Sequence, residues 1–571
     1  MYTKKNTYAH LLVFCWVLLF TALSLTTCTR PDLPAELVGK AKEIESLFDN
    51  CYDPSLPGGF AVAVIKDGQV VFKDAYGFAN NEHEVPFTTH TVSDLASVAK
   101  QFTGLAVAML IQEGKLSPDD DIRRYLPEIP DFGDPITVRH LLYHTSGIRD
   151  WVGLVKISGR YMEDVITDDF LMRLVLNQRE LNFRPGERIR YSNTGYFLLA
   201  TIVSRVAEQP FSEWMRHNVF LPLNMSNTQI GYDHRTIIPH RASSYGKDSK
   251  GDLRNNTSNL EAYGSSSLFS TLDDMVRWVV NYETRSIGGH DAWDMMLQKG
   301  ALNSGEAIDY GFGISIHNNG SVLSFGHGGS WGGYLSQVTY YPELRLGYVL
   351  MTNRDPSGVY VDDELVRLFL PDTSGAVTEE PAGTPQRMRV AVDARLLDEY
   401  AGSYEFFDKV VVIQAGGDHL LVHLPWEAVE FYAESDNKFF RQDFDAQFEF
   451  FRNDEGHVDR LVYHFRGSPN PPFRRLDEDV SGQSEVAEVL GEYESPELRT
   501  RYKVMIKDKR LILWHLQNEE IGLLRLDRDH YLGNKWWCEE IEILRDEDDK
   551  VTGFTLTADG GNIQNLLFVK Q

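Results

Sequence analysis

Residues 371–390, PDTSGAVTEEPAGTPQRMRV, hold so much Pro, Gly, Thr and Ser, with no apolar period, that neither a helix nor a strand can bury a face there. The segment reads as a linker, and it divides the chain into two parts that must each find their own core. At 571 residues the chain is also longer than one core organises, so a division is expected.

The part after the linker repeats itself at a period of about ninety residues. EYAGSYEF at 399–406 answers LGEYESPE at 490–497, and HLLVHL at 419–424 answers RLILWHL at 510–516. FEFFRNDEGHVDRLVYHF likewise answers IEILRDEDDKVTGFTLTA. Alternation of period two between short turns makes each copy an antiparallel all-β module, a small barrel or sandwich, over 391–478 and 484–571. The aromatic residues of these modules, Trp536 and Trp537 included, read as core rather than as a carbohydrate platform.

The part before the linker, 35–370, has strands at both ends and helices between. An amphipathic stretch from Glu36 to Phe48 precedes FAVAVIKD and VVFKDAYG, which flank Asp67-Gly68 as a β-hairpin. GFGISIHN, SVLSF, YLSQVTYY and LGYVLMTN return as strands before a last helical stretch near 361–369. The pattern predicts one α/β (α+β) domain whose antiparallel sheet is closed by its two ends and flanked by helices.

Within that domain, TVSDLASVAKQFTGLAVAML sets Ser97 and Lys100 three apart at the start of a helix, so both side chains share a face. A serine hydroxyl needs an adjacent base to become a nucleophile. Lysine serves only if burial lowers its pKa by roughly three units from about 10.4, worth about 4 kcal/mol. Ser-x-x-Lys alone is weak, being expected about twice by chance. It recurs at Ser244 and Lys247, in a polar, turn-rich segment that reads as solvent-exposed loop. Two further motifs follow: Tyr191-Ser192-Asn193 between a Pro-Gly turn and an apolar helix, and His327-Gly328-Gly329 at the start of a strand, where small residues admit a ligand.

Taken in this order, the three motifs resemble the signatures of the serine β-lactamase and penicillin-binding-protein family. ITVRHLLYHTSGI (136–148) and YGSSSLFSTLDDMVRW (263–278) extend the resemblance over nearly all of 35–370. It implies a β-lactamase/transpeptidase-like fold with Ser97 as the acylated nucleophile, Lys100 as its proton partner and Tyr191 as a second proton carrier. Asn193 matches the residue that binds the substrate amide, and the N–H groups of Ser97 and Ser330 match the oxyanion hole. Many members carry Lys-Thr-Gly where this chain has His327-Gly328-Gly329, which weakens the anchor for a substrate carboxylate. His there resembles the D-aminopeptidase and esterase branches, and D-aminopeptidases also carry two C-terminal β-barrels. The implied activity is an acyl-enzyme hydrolysis of small peptides, amides or esters containing D-amino acids. A β-lactamase proper, and a non-catalytic sensor or binder, stand as alternatives.

Rival chemistries are less well served by the pattern. Gly328-Gly329-Ser330-Trp331-Gly332 fits the G-x-S-x-G elbow, but strands follow where that elbow needs a helix. His140 and His144 have helical spacing, but Leu141 stands where a zinc-peptidase has Glu, so both read as hydrogen-bonded packing residues. No metal and no cofactor is called for. A net charge of −27 opposes a nucleic-acid partner.

The first residues read as an export leader. Lys4 and Lys5 precede an apolar run from Leu11 to Leu25 that is short for a membrane span. Leu25-Thr26-Thr27-Cys28 resembles a lipoprotein cleavage box, so the chain is expected as a periplasmic or cell-envelope lipoprotein anchored through Cys28, with 1–28 as the leader. Cys15 leaves with that leader, and Cys51 and Cys538 read as separate thiols rather than a bridge. Nothing in the pattern specifies an oligomer.

Overall fold

The computed structural model describes residues 33–571 except 232, 248–252, 257, 319–321, 355–358, 360, 371–386, 407–408, 424–427, 443–444, 454, 466–467, 471, 477–485 and 509. The expected leader with Cys15 and Cys28, and most of the linker, lie outside the described residues.

The first domain is built on a seven-stranded antiparallel sheet. Helix α1 (Ala35–Cys51) leads into β1 (Gly59–Lys66) and β2 (Gln69–Asn80). Asp67 and Gly68 join these two strands with φ of 51° and 72°, the paired left-handed conformation of a two-residue hairpin turn. Four more strands, β3 (Ser315–Asn318), β4 (Leu323–Trp331), β5 (Tyr334–Tyr341) and β6 (Leu346–Thr352), give the order β3-β4-β5-β6-β1-β2 with Val85–Pro86 at the edge. Pairing of β1 with β6, Phe60 opposite Thr352 through Lys66 opposite Leu346, brings the two ends of the domain together.

β1 is apolar at nearly every position because both of its faces are covered. Phe60, Val62 and Val64 pack with Ile44 and Phe48 of α1, while Ala61, Ala63 and Ile65 face the helical layer. That layer includes α2 (Ala99–Gln112), α3 (Val138–Leu142), α4 (Trp151–Ile157), α5 (Asn193–Val206) and α6 (Leu272–Thr284). α2 is the central helix. Phe102 stacks on Trp278 of α6 at 3.9 Å between centroids.

The region after the linker forms two closed eight-stranded barrels. In the first, strands between Gly402 and Leu476 close where Ala446–Arg452 pairs with Val458–Phe465. The second runs from Gly491–Ser495 to Ile563–Lys570, and those two strands pair. The sequence repeat has a structural counterpart: Tyr404 Oη donates to Tyr400 O at 2.9 Å, and Tyr493 Oη to Val489 O at 2.7 Å, in the same i to i−4 arrangement. Trp537 is buried and Trp536 packs against the core.

The barrels relate differently to the rest of the chain. The first has a core of its own, around Tyr404, Phe431, Phe448 and Phe450. The core of the second, with Tyr502, Ile563 and Phe568, is continuous with that of the first domain through Trp151, Leu154 and Ile157.

One expectation is corrected. Ser244 and Lys247 lie not in an exposed loop but in a short strand, Ser244–Lys247, paired with Leu253–Asn256. Ser244 is buried, and its hydroxyl donates to Gly332 O at 2.6 Å. The polar composition of that segment reflects backbone pairing and a side-chain hydrogen bond, which a hydropathy reading takes for solvent.

Candidate active site

Ser97 sits in a turn of 3-10 helix, Ala96–Val98, that opens into α2. The turn is tightly held. Leu95 N donates to Leu268 O at 2.7 Å, and Leu95 O accepts from the Ser336 hydroxyl of β5 at 2.8 Å. Ala96 has φ of +46°, a conformation that costs a non-glycine residue of order 1 kcal/mol or more. The Asp94 carboxylate holds it there by accepting Ala96 N at 2.9 Å. Burial pushes that carboxyl up to about 6.

One turn further along α2, Lys100 has no solvent exposure. Its Nζ donates to Ser97 Oγ at 3.1 Å, to Asn193 Oδ1 at 2.8 Å and to Ser265 O at 2.8 Å. Burial lowers its pKa to about 7, against the opposing pull of the Asp150 carboxylate. A neutral amine is thereby accessible near pH 7 within hydrogen-bond reach of a hydroxyl.

Tyr191 and Asn193 come to the same point from α5. Ser192 is the N-cap of that helix, its hydroxyl accepting Gly195 N at 3.3 Å, so the residues on either side of it project toward α2. The ring of Tyr191 covers Lys100 Nζ at 4.8 Å from its centroid. Tyr191 is 37% exposed, but crowding around the phenol raises it above its usual range, and the Ser97 hydroxyl opposes that rise. Of these two groups beside Ser97, the Lys100 amine loses its proton more readily near pH 7, and the Tyr191 phenol keeps its own.

His327, Gly328, Gly329 and Ser330 lie on β4. Pairing with β3 stops at Gly326 opposite Ser315, so among the described residues the following stretch leaves one strand edge unpaired beside the Ser97 turn. Gly329 is constrained by this approach, since a Cβ there would stand 2.2 Å from Leu95 O and 2.5 Å from Ser336 Oγ. Its smallness serves the contact between strand and turn. Gly328 and Ser330 are exposed on the cleft, where Ser97, Tyr191, Asn193, Trp151 and Trp331 also stand.

His327 is buried and uncharged. Its Nδ1 pairs with Gly328 O at 2.5 Å and its Nε2 with Tyr310 Oη at 3.0 Å. Burial, and then the Lys100 charge, pull its pKa down to about 3. It offers a substrate carboxylate no cation. His140 and His144 take packing roles: His140 Nδ1 accepts Thr137 N at 3.1 Å in the cap of α3. His144 Nδ1 accepts Ser192 N at 3.0 Å, and its ring lies 4.4 Å from that of Tyr191, fixing the tyrosine. Cys51 and Cys538 are not joined in a disulfide.

Sequence reasoning missed Asp94 and Asp150. Asp150 is the N-cap of α4, accepting Val152 N at 3.0 Å. Its carboxylate also takes Asn193 N, Thr194 N at 3.2 Å and Asn193 Nδ2 at 3.2 Å, which orients Asn193 toward Lys100. The available signal was an Asp before an apolar helical run, and that reads only as a cap.

The family profile described as Beta-lactamase matches residues 48–370. A protein named Penicillin-binding protein 4*, from Bacillus subtilis (strain 168), is 25% identical over 447 residues, 74% of this chain and 96% of that protein. A D-aminopeptidase from Brucella anthropi is 25% identical over 394 residues, 67% of this chain and 75% of that protein. Among solved structures, an octameric penicillin-binding protein homologue from Pyrococcus abyssi shares the fold with a TM-score of 0.51 and 23% identity, over 76% of this chain and 99% of that one.

Proposed function

The chain belongs to the beta-lactamase family, and from that premise we propose that it is a serine hydrolase working through an acyl-enzyme on small peptides, amides or esters that contain D-amino acids. The observation that carries the reading is the 3.1 Å contact between Ser97 Oγ and the fully buried Lys100 Nζ, whose pKa burial lowers to about 7.

In this mechanism Lys100 takes the Ser97 proton as Oγ attacks the substrate carbonyl. The N–H groups of Ser97 and Ser330 receive the developing oxyanion. Tyr191, still protonated and stationed over the amine, passes a proton to the leaving group and regains it from Lys100. Water then enters by the same route and releases the acid. Asn193, lining the cleft, is shared between Lys100 and the substrate amide.

Selectivity follows from what faces the cleft. An uncharged His327 in place of a cation disfavours substrates held by a carboxylate, such as β-lactams and peptides with a free C-terminus. The names of the D-aminopeptidase relatives support the same preference. A turnover screen with D-amino-acid p-nitroanilides, D-Ala-D-Ala peptides, short p-nitrophenyl esters and a chromogenic cephalosporin tests it. Turnover of the D-anilides or esters is expected, and turnover of the cephalosporin alone would overturn the assignment. A stable adduct with no release would make the protein a sensor.

The same proposal carries the expected leader: export, cleavage before Cys28 and lipidation there. The intact mass of the membrane-bound protein tests this, and an unlipidated mature chain refutes it.

A further inference from the structure

The second barrel touches the loop that carries Asp150 through a set of buried polar contacts. Arg149, without solvent exposure, donates from Nη1 to Glu497 Oε2 at 2.9 Å, and from Nε and Nη2 to Gln564 O at 3.1 and 2.9 Å. Glu497 is itself only 4% exposed. Asp150 N donates to Asn562 O at 3.2 Å. Asn182, beside this loop, donates from Nδ2 to Asn562 O at 2.7 Å and accepts Gln564 N at 2.8 Å.

The rest of α4 is seated as closely. Tyr502 Oη donates to Ile157 O and Asn518 Nδ2 to Lys156 O, both at 2.9 Å. Gly153 lies so near the barrel that a Cβ would stand 2.4 Å from Ile563 Cδ1. On its other side the loop is bonded to the reacting groups, because the Asp150 carboxylate binds Asn193 and Asn193 binds Lys100. Residue 150 thus gives its amide to the barrel and its carboxylate to the active site.

We propose that the second barrel is a positioning element of the active site: Glu497, Asn562 and Gln564 fix residues 149–151 so that Asp150 holds Asn193 against Lys100. This rests on the hydrolase reading for its consequence in rate, but the geometry of the clamp is independent of it. A buried ion pair with its remaining donors satisfied by carbonyls fixes one geometry, whereas a slack interface would let water reach Lys100. The charged and titratable groups facing Lys100 are Asp150 from this loop, His144 from the turn after α3, Tyr191 and Tyr196 from α5, and His327 from β4. Of these, Asp150 alone is attached to the barrel.

The test uses the full chain with E497Q, N182A and the apolar replacement R149M/E497L, which leaves no unpaired buried charge if E497Q folds poorly. Two readouts are taken: hydrogen exchange of the peptides covering 147–157 and 190–196, and the pH dependence of acylation by a fluorophosphonate. The folded variants should exchange faster at 190–196. They should also be acylated about tenfold more slowly at pH 7, with the midpoint moved upward by half a unit or more as Lys100 is hydrated. Unchanged exchange at 190–196 in a folded variant overturns the clamp whether or not Ser97 is acylated, and so does an unchanged acylation rate and midpoint. A wild-type chain that is never acylated counts instead against the hydrolase reading, and the exchange data still decide the clamp.

Discussion

The ring of Tyr191 lies over the amine of Lys100, 4.8 Å from its centroid, while the same amine donates to Ser97. A cation beneath an aromatic face is stabilised, and a buried one is penalised; here burial outweighs the ring and the nearby Asp150, leaving Lys100 near 7. The two proton carriers are thereby separated in acidity.

Acylation should follow the neutral fraction of Lys100. The rate constant for fluorophosphonate or ester acylation is expected to rise with pH through a midpoint near 7 and then level off. The Tyr191 phenol and His327 both ionise outside this range, whereas the buried Asp94 carboxyl behind the Ser97 turn is pushed up to about 6, so the inflection near 7 is expected together with a smaller one below it. An acylation rate that shows no inflection near 7 would contradict the assignment.

Lys100→Met removes the base and should slow acylation by about 10²–10⁴-fold. It should also change stability, with a sign fixed by linkage. The folded pKa lies below the unfolded one, so the unfolded chain binds more protons and wild-type stability rises from about pH 7 toward 10.5. The Met variant lacks this titration, so its stability relative to wild type should be greater below pH 7 than above it, by roughly 2–3 kcal/mol between pH 6 and pH 9. Urea denaturation at pH 6 and at pH 9 measures this, and the gain should shrink at the higher pH.

Tyr191→Phe keeps the ring over Lys100 but removes the proton relay. Acylation is expected to fall about 10²-fold while its pH midpoint stays near 7. A loss of the midpoint itself would show that the phenol, and not the amine, takes the serine proton.

The main lines of the fold were legible because they rest on short-range pattern. Residues 60–65 are apolar throughout since both faces of β1 are buried, and the repeated Tyr404 and Tyr493 mark equivalent places in two barrels. Helix spacing puts Ser97 and Lys100 on one face and a short connection projects Tyr191 and Asn193 together, whereas the meeting of these two pairs was implied by the family resemblance. Asp150 escaped notice because its partners are mostly backbone amides, of Val152 in α4 and of Asn193 and Thr194 in α5, which composition does not show. Ser244 was misread because a polar strand of a separate two-stranded sheet has the hydropathy of a loop. The continuity between the second barrel and the first domain depends on contacts more than three hundred residues apart, such as Arg149 with Glu497, and no local pattern encodes them.

Asp150→Ala deletes an acceptor for Val152, Asn193 and Thr194 in a buried setting. Unsatisfied donors of this kind cost about 1–3 kcal/mol each, so a destabilisation of several kcal/mol is expected in denaturant titration. Asp150→Asn, which retains one carbonyl acceptor, should recover part of that loss while acylation remains slow, because its amide cannot receive both the Asn193 side chain and backbone.

The central claim is that the hydroxyl of residue 97 accepts the acyl group. Fragment mass spectrometry of the protein quenched during reaction with a fluorophosphonate or a D-amino-acid ester addresses it directly. A single adduct on the peptide bearing Ser97, absent from Ser97→Ala and nearly absent from Lys100→Met, is the predicted result. An adduct on Ser330, or labelling that survives loss of the Ser97 hydroxyl, would contradict it.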